Sequence, residues 1–217
     1  MNLKKTFLIV FSILFIDHFL KFYVKTHFSL GTSIQIFPFF WIYFVENPGM
    51  AYGLSIYNGH TGKILLSVIR FLLIIFIFFI HYRCIKQKLT NFLIIPSSLV
   101  LSGAIGNFLD CILYGLIFDK GTIFNDKYQK WIPYSGISKI SFFTHNYKGY
   151  APIMEGCVVD MFYFPIFNKN IPKYFPFFGE YCLKFFQSVF NLSDIVIFFG
   201  IFSFFIFKNK IKNIKVF

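Results

Sequence analysis

The sequence predicts an α-helical membrane protein: four transmembrane helices, about 6–24, 62–82, 91–113 and 188–207, with a small extracytoplasmic β-sheet or cap at the outer interface. Three observations carry that prediction. Of the 217 residues, 57% are hydrophobic and 14% charged, against about 25% charged in average soluble domains, and mean hydropathy is +0.66. The apolar residues gather into runs of the length a helix needs to cross a hydrocarbon core of about 30 Å. Basic residues cluster between and beyond those runs. The formal charge of +12 would suggest nucleic acid if it formed a soluble face. With the cations flanking apolar runs it reads as topology signals and contact with anionic lipid, and no nucleic-acid partner is expected. The chain is read as one integral-membrane domain, 1–217, with extracytoplasmic segments 25–61 and 114–187.

The first span follows Lys4 and Lys5 and runs through Phe7–Ile16 to Val24. A basic start before an apolar run also fits a cleaved signal peptide, but Lys25-Thr26-His27-Phe28 supplies no small-x-small cleavage site, so an uncleaved span is expected. Asp17 and Lys21 lie four apart on one helical face and can pair there. Structural support is the expected role of that pair, since a paired Lys is a poor base. Between 25 and 60 the texture changes. Ile34-Gln35-Ile36-Phe37 and Trp41-Ile42-Tyr43-Phe44-Val45 are aromatic and β-branched, which favours strands, and Glu46-Asn47-Pro48-Gly49 reads as a turn. Trp41 and the tyrosines suit headgroup depth.

Arg70 interrupts the second span, either snorkelling toward the Lys63 end or facing a polar cavity; the sequence leaves both open. Arg83, Lys86 and Lys88 fill the short loop before the third span. That span holds Ser97-Ser98, Ser102-Gly103-Ala104-Ile105-Gly106-Asn107 and Asp110. Gly103 and Gly106 read as close helix packing, since no phosphate-loop pattern surrounds them. Asn107 and Asp110, three apart, share a face that should point inward. The 116–186 stretch is polar, Gly- and Pro-punctuated and too long for a plain loop, so an ordered extramembrane region or a partly mobile cap is expected. The tail carries Lys208, Lys210, Lys212 and Lys215. With four spans, the basic N-terminus, 83–90 loop and tail share one side, which the positive-inside rule makes cytoplasmic.

Cys84, Cys111, Cys157 and Cys182 form no C-x-x-C pair and read as free or buried thiols. The five histidines show no H-E-x-x-H pattern, so a zinc enzyme is not expected. The chemistry-bearing residue is Asp194, about six residues into the last apolar run. A charge there costs about 2.5–3.5 kcal/mol on insertion scales, so a working partner is expected, and Asp160 is proposed for it. Two carboxylates brought together can share a proton, one serving as base and the other as acid.

Asp17-x-x-x-Lys21, Asn47-x-Gly49-x-Ala51-Tyr52, Gly103-Ala104-Ile105-Gly106-Asn107-x-x-Asp110, Val158-Val159-Asp160 and Phe190-Asn191-x-x-Asp194 resemble, in order, the motif set of the lipoprotein signal peptidases. The resemblance implies that Asp160 and Asp194 are a catalytic dyad. It implies that Asn47, Gly49, Asn107, Asp110, Asn191, Asp17 and Lys21 support the fold or line the site, with Arg70 beside them. It further implies a cofactor-free, monomeric enzyme of the bacterial inner membrane that cuts diacylglyceryl-modified prolipoproteins before the lipid-bearing Cys, with lipid as its other partner. Three departures stand out: Cys111 replaces an Arg that commonly follows Asp110, Ser193 and Ile195 replace small residues flanking Asp194, and the 119–157 stretch is long. Lys120 or Arg70 could supply the missing charge. Other readings of the same residues are a transporter using Asp17, Lys21, Arg70, Asp110 and Asp194 as an ion path, a Ser/Lys protease using Lys21 with Ser188 or Ser193, and an inactive homologue. Four spans without an internal repeat argue against the transporter.

Overall fold

The computed structural model describes residues 3–49, 59–141, 148–165, 167–170, 182–185 and 188–211. Ala51, Tyr52, Lys212, Lys215 and the side chain of Cys182 lie outside the described residues. In chain order the elements are α1 (Leu3–His27), β1 (Ser33–Phe37), β2 (Phe40–Asn47), α2 (Gly59–Lys86) and α3 (Asn91–Leu109). A π-helical turn, Asp110–Tyr114, carries the third helix on into the short α4 (Gly115–Ile117). Then follow β3 (Ile123–Asn125), β4 (Lys130–Ile132), β5 (Val158–Tyr163), β6 (Phe167–Asn170), β7 (Cys182–Phe185), β8 (Val189–Phe190), α5 (Leu192–Ile206) and α6 (Lys208–Ile211).

Three stretches, Leu3–His27, Gly59–Lys86 and Asn91–Ile117, are long and apolar enough to cross a membrane. The first two run beyond their expected limits because polar residues at the ends (Lys25 and His27, Arg83 and Lys86) complete helical turns outside the apolar run, and the third runs on through the π turn and α4 to Ile117. The last apolar helix is shorter than expected, 15 residues, or about 22 Å at 1.5 Å per residue. Its start moves from 188 to Leu192 because Val189–Phe190 is extended and pairs with Phe162–Tyr163 of β5. Asp194 therefore stands in the first turn of α5, not one and a half turns down.

The helices are polar inside and apolar outside, the pattern lipid demands. Phe7, Phe11, Phe15 and Phe19 stack along the exposed flank of α1 at 6.0–6.4 Å, while Asp17, Lys21 and Lys25 on the same helix are fully buried. The α3–α5 contact is very close. A Cβ on Gly103 would lie 2.4 Å from the Ser193 carbonyl oxygen, and one on Gly106 would lie 2.2 Å from Ser193 Oγ. The glycines act as the sequence suggests, letting one backbone rest on the other.

Strands β1, β2, β5 and β8 form an antiparallel sheet in that order. Strand β2 reaches Asn47, so Glu46 and Asn47 belong to a strand and not to a turn; ladder bonds with Val159 and Val158 hold them extended. The turn begins one step later, where the Gly49 N–H donates to Asn47 Oδ1 at 2.9 Å. Register decides which residues face which side. Val45 lies opposite Asp160 and Glu46 opposite Val159, so alternation sends Asn47 and Asp160 to one face and Phe44, Glu46, Val159 and Met161 to the other. That second face packs on Val24, Tyr114 and Phe118, a core joining α1, the sheet and the π turn.

Segment 148–157 lies on the end of the third helix, where the Ala151 N–H donates to Gly115 O and the Gly156 N–H to Cys111 O, at 3.1 and 2.9 Å. These bonds seat the segment against the π turn and the short helix that follows it.

Candidate active site

The site forms where β5, β8 and the start of α5 meet. Asn191 follows β8 directly and caps α5. Its Oδ1 accepts the Asp194 N–H at 3.0 Å, and its own N–H donates to Asp194 Oδ2 at 3.1 Å, a reciprocal capping box. Asn, an extended backbone and an acidic residue at the third helical position are what such a cap requires. The remaining group of the amide, Nδ2, donates to Asp160 Oδ1 at 2.7 Å. One fully buried asparagine thus binds both aspartates.

Each carboxylate has a second support. Asn107 Nδ2 donates to Asp194 Oδ1 at 2.8 Å, and Asn47 Nδ2 reaches Asp160 Oδ2 at 3.4 Å. The orientation of both amides is set from behind. Lys21 Nζ donates to Asn107 Oδ1 at 3.2 Å, and since an ammonium cannot accept, the NH₂ group must face Asp194. For Asn47 the Gly49 N–H plays the same part. Asp160 is 5% exposed. Burial and the neighbouring Asp194 charge push its carboxyl up to about 8, the behaviour of two carboxylates that cannot both ionise freely.

Behind the pair, Lys21 Nζ lies 2.7 Å from Asp17 Oδ2 and 2.8 Å from Asp110 Oδ2, with all three side chains buried. Asp17 in turn accepts the Ser193 N–H at 3.0 Å and its hydroxyl at 2.9 Å, and Asp110 Oδ2 accepts the Val159 N–H at 3.3 Å. Lys21 therefore joins α1, α3, β5 and α5. A buried ammonium costs several kcal/mol to desolvate, and two carboxylates and an amide oxygen at these distances offset that cost. The expected Asp17–Lys21 pair is present; its reach to Asp110 and Asn107 was not readable from spacing.

Arg70 faces inward. Its Nη1 lies 2.9 Å from Cys111 Sγ and its Nη2 donates to Gly49 O at 3.1 Å. Of the two cations considered for the place beside Cys111, Arg70 is there, while Lys120 Nζ turns to Ser135 O at 3.4 Å. Ser193 and Lys21 each bind Asp17 but not each other among the described contacts, which leaves a Ser/Lys mechanism without its central bond. Cys157 is a free, buried thiol. Among the described residues no three His, Cys, Asp or Glu side chains gather as a set that could hold a metal ion. Two participants went unforeseen. His18 Nδ1 lies 2.9 Å from the Tyr114 hydroxyl, and nothing in their spacing of 96 residues signals it.

Helices of spanning length and two amide-braced aspartates at the foot of a small sheet define a multi-pass membrane protein with a carboxylate-pair site. The family model for signal peptidase II matches residues 9–209, and the chain belongs to that family. A lipoprotein signal peptidase of Porphyromonas gingivalis is 33% identical over 190 residues, covering 87% of this chain and 76% of that one. One of Amoebophilus asiaticus is 32% identical over 198 residues, covering 86% and 70%. A solved bacterial membrane enzyme shares the fold, with a TM-score of 0.55 at 19% identity, covering 97% of this chain and 91% of that chain.

Proposed function

We propose that this protein is an aspartic endopeptidase that removes the signal peptide from diacylglyceryl-modified prolipoproteins, cutting just before the lipid-bearing Cys. The observation that carries the reading is the pair Asp160 and Asp194, held together by Asn191. Membership of the signal peptidase II family supports the substrate class. The ion-path alternative finds no support in the geometry, because Asp17, Lys21 and Asp110 are locked to one another behind the aspartates.

The chain crosses the bacterial inner membrane four times as a monomer, with α5, Phe207 and α6 forming the last span and both termini in the cytoplasm. The basic α2–α3 turn supports this topology through the positive-inside rule. Asp17–Lys25, Asn107–Asp110 and the start of α5 all lie toward the ends of their helices remote from that turn, which supports a site at the outer face. The signal helix enters between spans with its acyl chains in lipid. One aspartate, ionised, takes a proton from a water held between the two; the other donates to the scissile carbonyl oxygen, and their roles reverse as the amine leaves. No cofactor takes part.

The test is cleavage of a diacylglyceryl-modified prolipoprotein by purified wild type beside Asp160→Asn and Asp194→Asn. Wild-type cleavage with none in either folded variant is expected. Processing retained by both variants would overturn the dyad.

A further inference from the structure

On the opposite face of the sheet lies a second buried charge pair, which the cleavage reaction does not use. Lys25 and Glu46 are bonded to each other with no exposed side-chain area on either. Lysine two residues from the end of a membrane helix ordinarily reaches for headgroups or water. Here Lys25 Nζ instead sits 5.0 Å from the ring centre of Phe118, 5.1 Å from Tyr134 and 5.0 Å from Tyr150, enclosed by aromatic faces that attract a cation. All three rings come from the 118–157 segment. The second oxygen of Glu46 accepts the Thr122 N–H from that segment, at 2.6 Å.

These contacts converge on Cys157. Thr122 O accepts the Cys157 thiol at 3.4 Å, and the Tyr150 hydroxyl accepts the Cys157 N–H at 2.8 Å. Cys157 is fully buried and stands three residues before Asp160, at the entry to β5. On β2, Glu46 is the neighbour of Asn47, whose amide reaches Asp160. The charge pair thus grips both strands next to the residues that meet at the carboxylate.

We infer that Lys25, Glu46 and Tyr150 are positioning residues for peptide cleavage: a latch that seats stretches 118–134 and 150–157 and, through Cys157 and Asn47, sets where Asp160 stands. The inference rests on the aspartic reading above. None of the three touches Asp160, so each acts through the strands.

Tyr150→Phe removes the oxygen that holds the Cys157 N–H and keeps the ring under Lys25, which makes it the variant least able to disturb folding. Glu46→Gln removes the charge and keeps an acceptor for Thr122. In the purified full-length protein, kcat and KM are measured separately on diacylglyceryl-modified prolipoprotein, and maleimide labelling of Cys157 is followed by peptide mass without substrate. A displacement of 1 Å can cost about 100-fold in rate. The expected result is kcat lower by about 10- to 100-fold, KM within about twofold of wild type, and faster labelling of Cys157. Wild-type kcat in both variants overturns the inference, even if Cys157 becomes reactive, since the latch would then hold the segment without setting the site. Wild type that cleaves nothing overturns the peptidase reading instead; Cys157 labelling, which needs no turnover, then decides the latch alone.

Discussion

Asn191 offers the most discriminating perturbation, because its side chain does two separable things. Its Oδ1 caps α5 through the Asp194 N–H, and its Nδ2 holds Asp160 at 2.7 Å. Removing an N-cap costs about 1 kcal/mol, and removing a donor to a buried charged group about 1.5–3 kcal/mol. Asn191→Ala should therefore lose about 2.5–4 kcal/mol of stability, and with both aspartates loosened, about 100-fold or more in kcat/KM. Asn191→Ser separates the two effects. Serine caps a helix nearly as well as Asn, so about 1 kcal/mol should return, but its shorter side chain carries no donor to where Nδ2 meets Asp160. The serine variant should thus melt above the alanine variant and stay equally slow. Thermal unfolding in detergent, followed beside prolipoprotein cleavage by gel shift, reads both quantities. Wild-type kcat/KM in Asn191→Ser would refute the claim that the amide donor orients Asp160.

Four further outcomes follow from the same geometry. The Asp160 carboxyl is pushed up to about 8 by burial and by Asp194; if the proposed dyad cleaves with one shared proton, kcat/KM should fall as pH rises through about 8, and a flat profile across that range counts against a shared proton. The same upward displacement means the folded state binds that proton more tightly than the unfolded chain, so its stabilisation is complete below about 4 and is lost as pH rises through about 8. Gly106→Ala would place a methyl 2.2 Å from Ser193 Oγ and 3.0 Å from Asp17 Oδ2; forcing α3 from α5 should cost about 1–3 kcal/mol, seen as a lower melting temperature, and an unchanged one would disprove the tight contact. Lys21→Met should be worse, about 3–5 kcal/mol, because Asp17 and Asp110 remain buried without their cation; expression at wild-type level with an unchanged melting temperature would contradict the network.

What could be read from the chain beforehand divides along physical lines. Spans are written in hydropathy over windows of about twenty residues, and Asp194 was conspicuous because an apolar run has no ordinary use for a carboxylate. The strands around Trp41 were legible for a like reason, in aromatic and β-branched residues. The exact start of α5 was not, since Val189 and Phe190 are apolar enough for a span and only their pairing with Phe162 and Tyr163 makes them strand. Lys25 and Glu46 were illegible as a pair. One resembles an interfacial anchor and the other a turn residue, and the rings that enclose the lysine lie 93–125 positions further on. Spacing revealed Asp17–Lys21 because a helix brings i and i+4 together, but no local rule brings position 21 to 110.

The donors that brace the two aspartates share a property with a consequence for turnover. Among the described residues there are four, all amide N–H groups: Nδ2 of Asn47, Asn107 and Asn191, and the Asn191 backbone N–H. An amide nitrogen neither accepts a proton nor gives one up in the physiological range. Among the described residues a single donor meets each carboxylate oxygen, so a second lone pair remains on each. On the aspartic reading proposed above, the proton shared by the pair is therefore confined: it would pass from one aspartate to the other, to water or to substrate, while the amides that brace them offer it no way back into the scaffold, and each turnover would end without a proton drawn through the walls of the site.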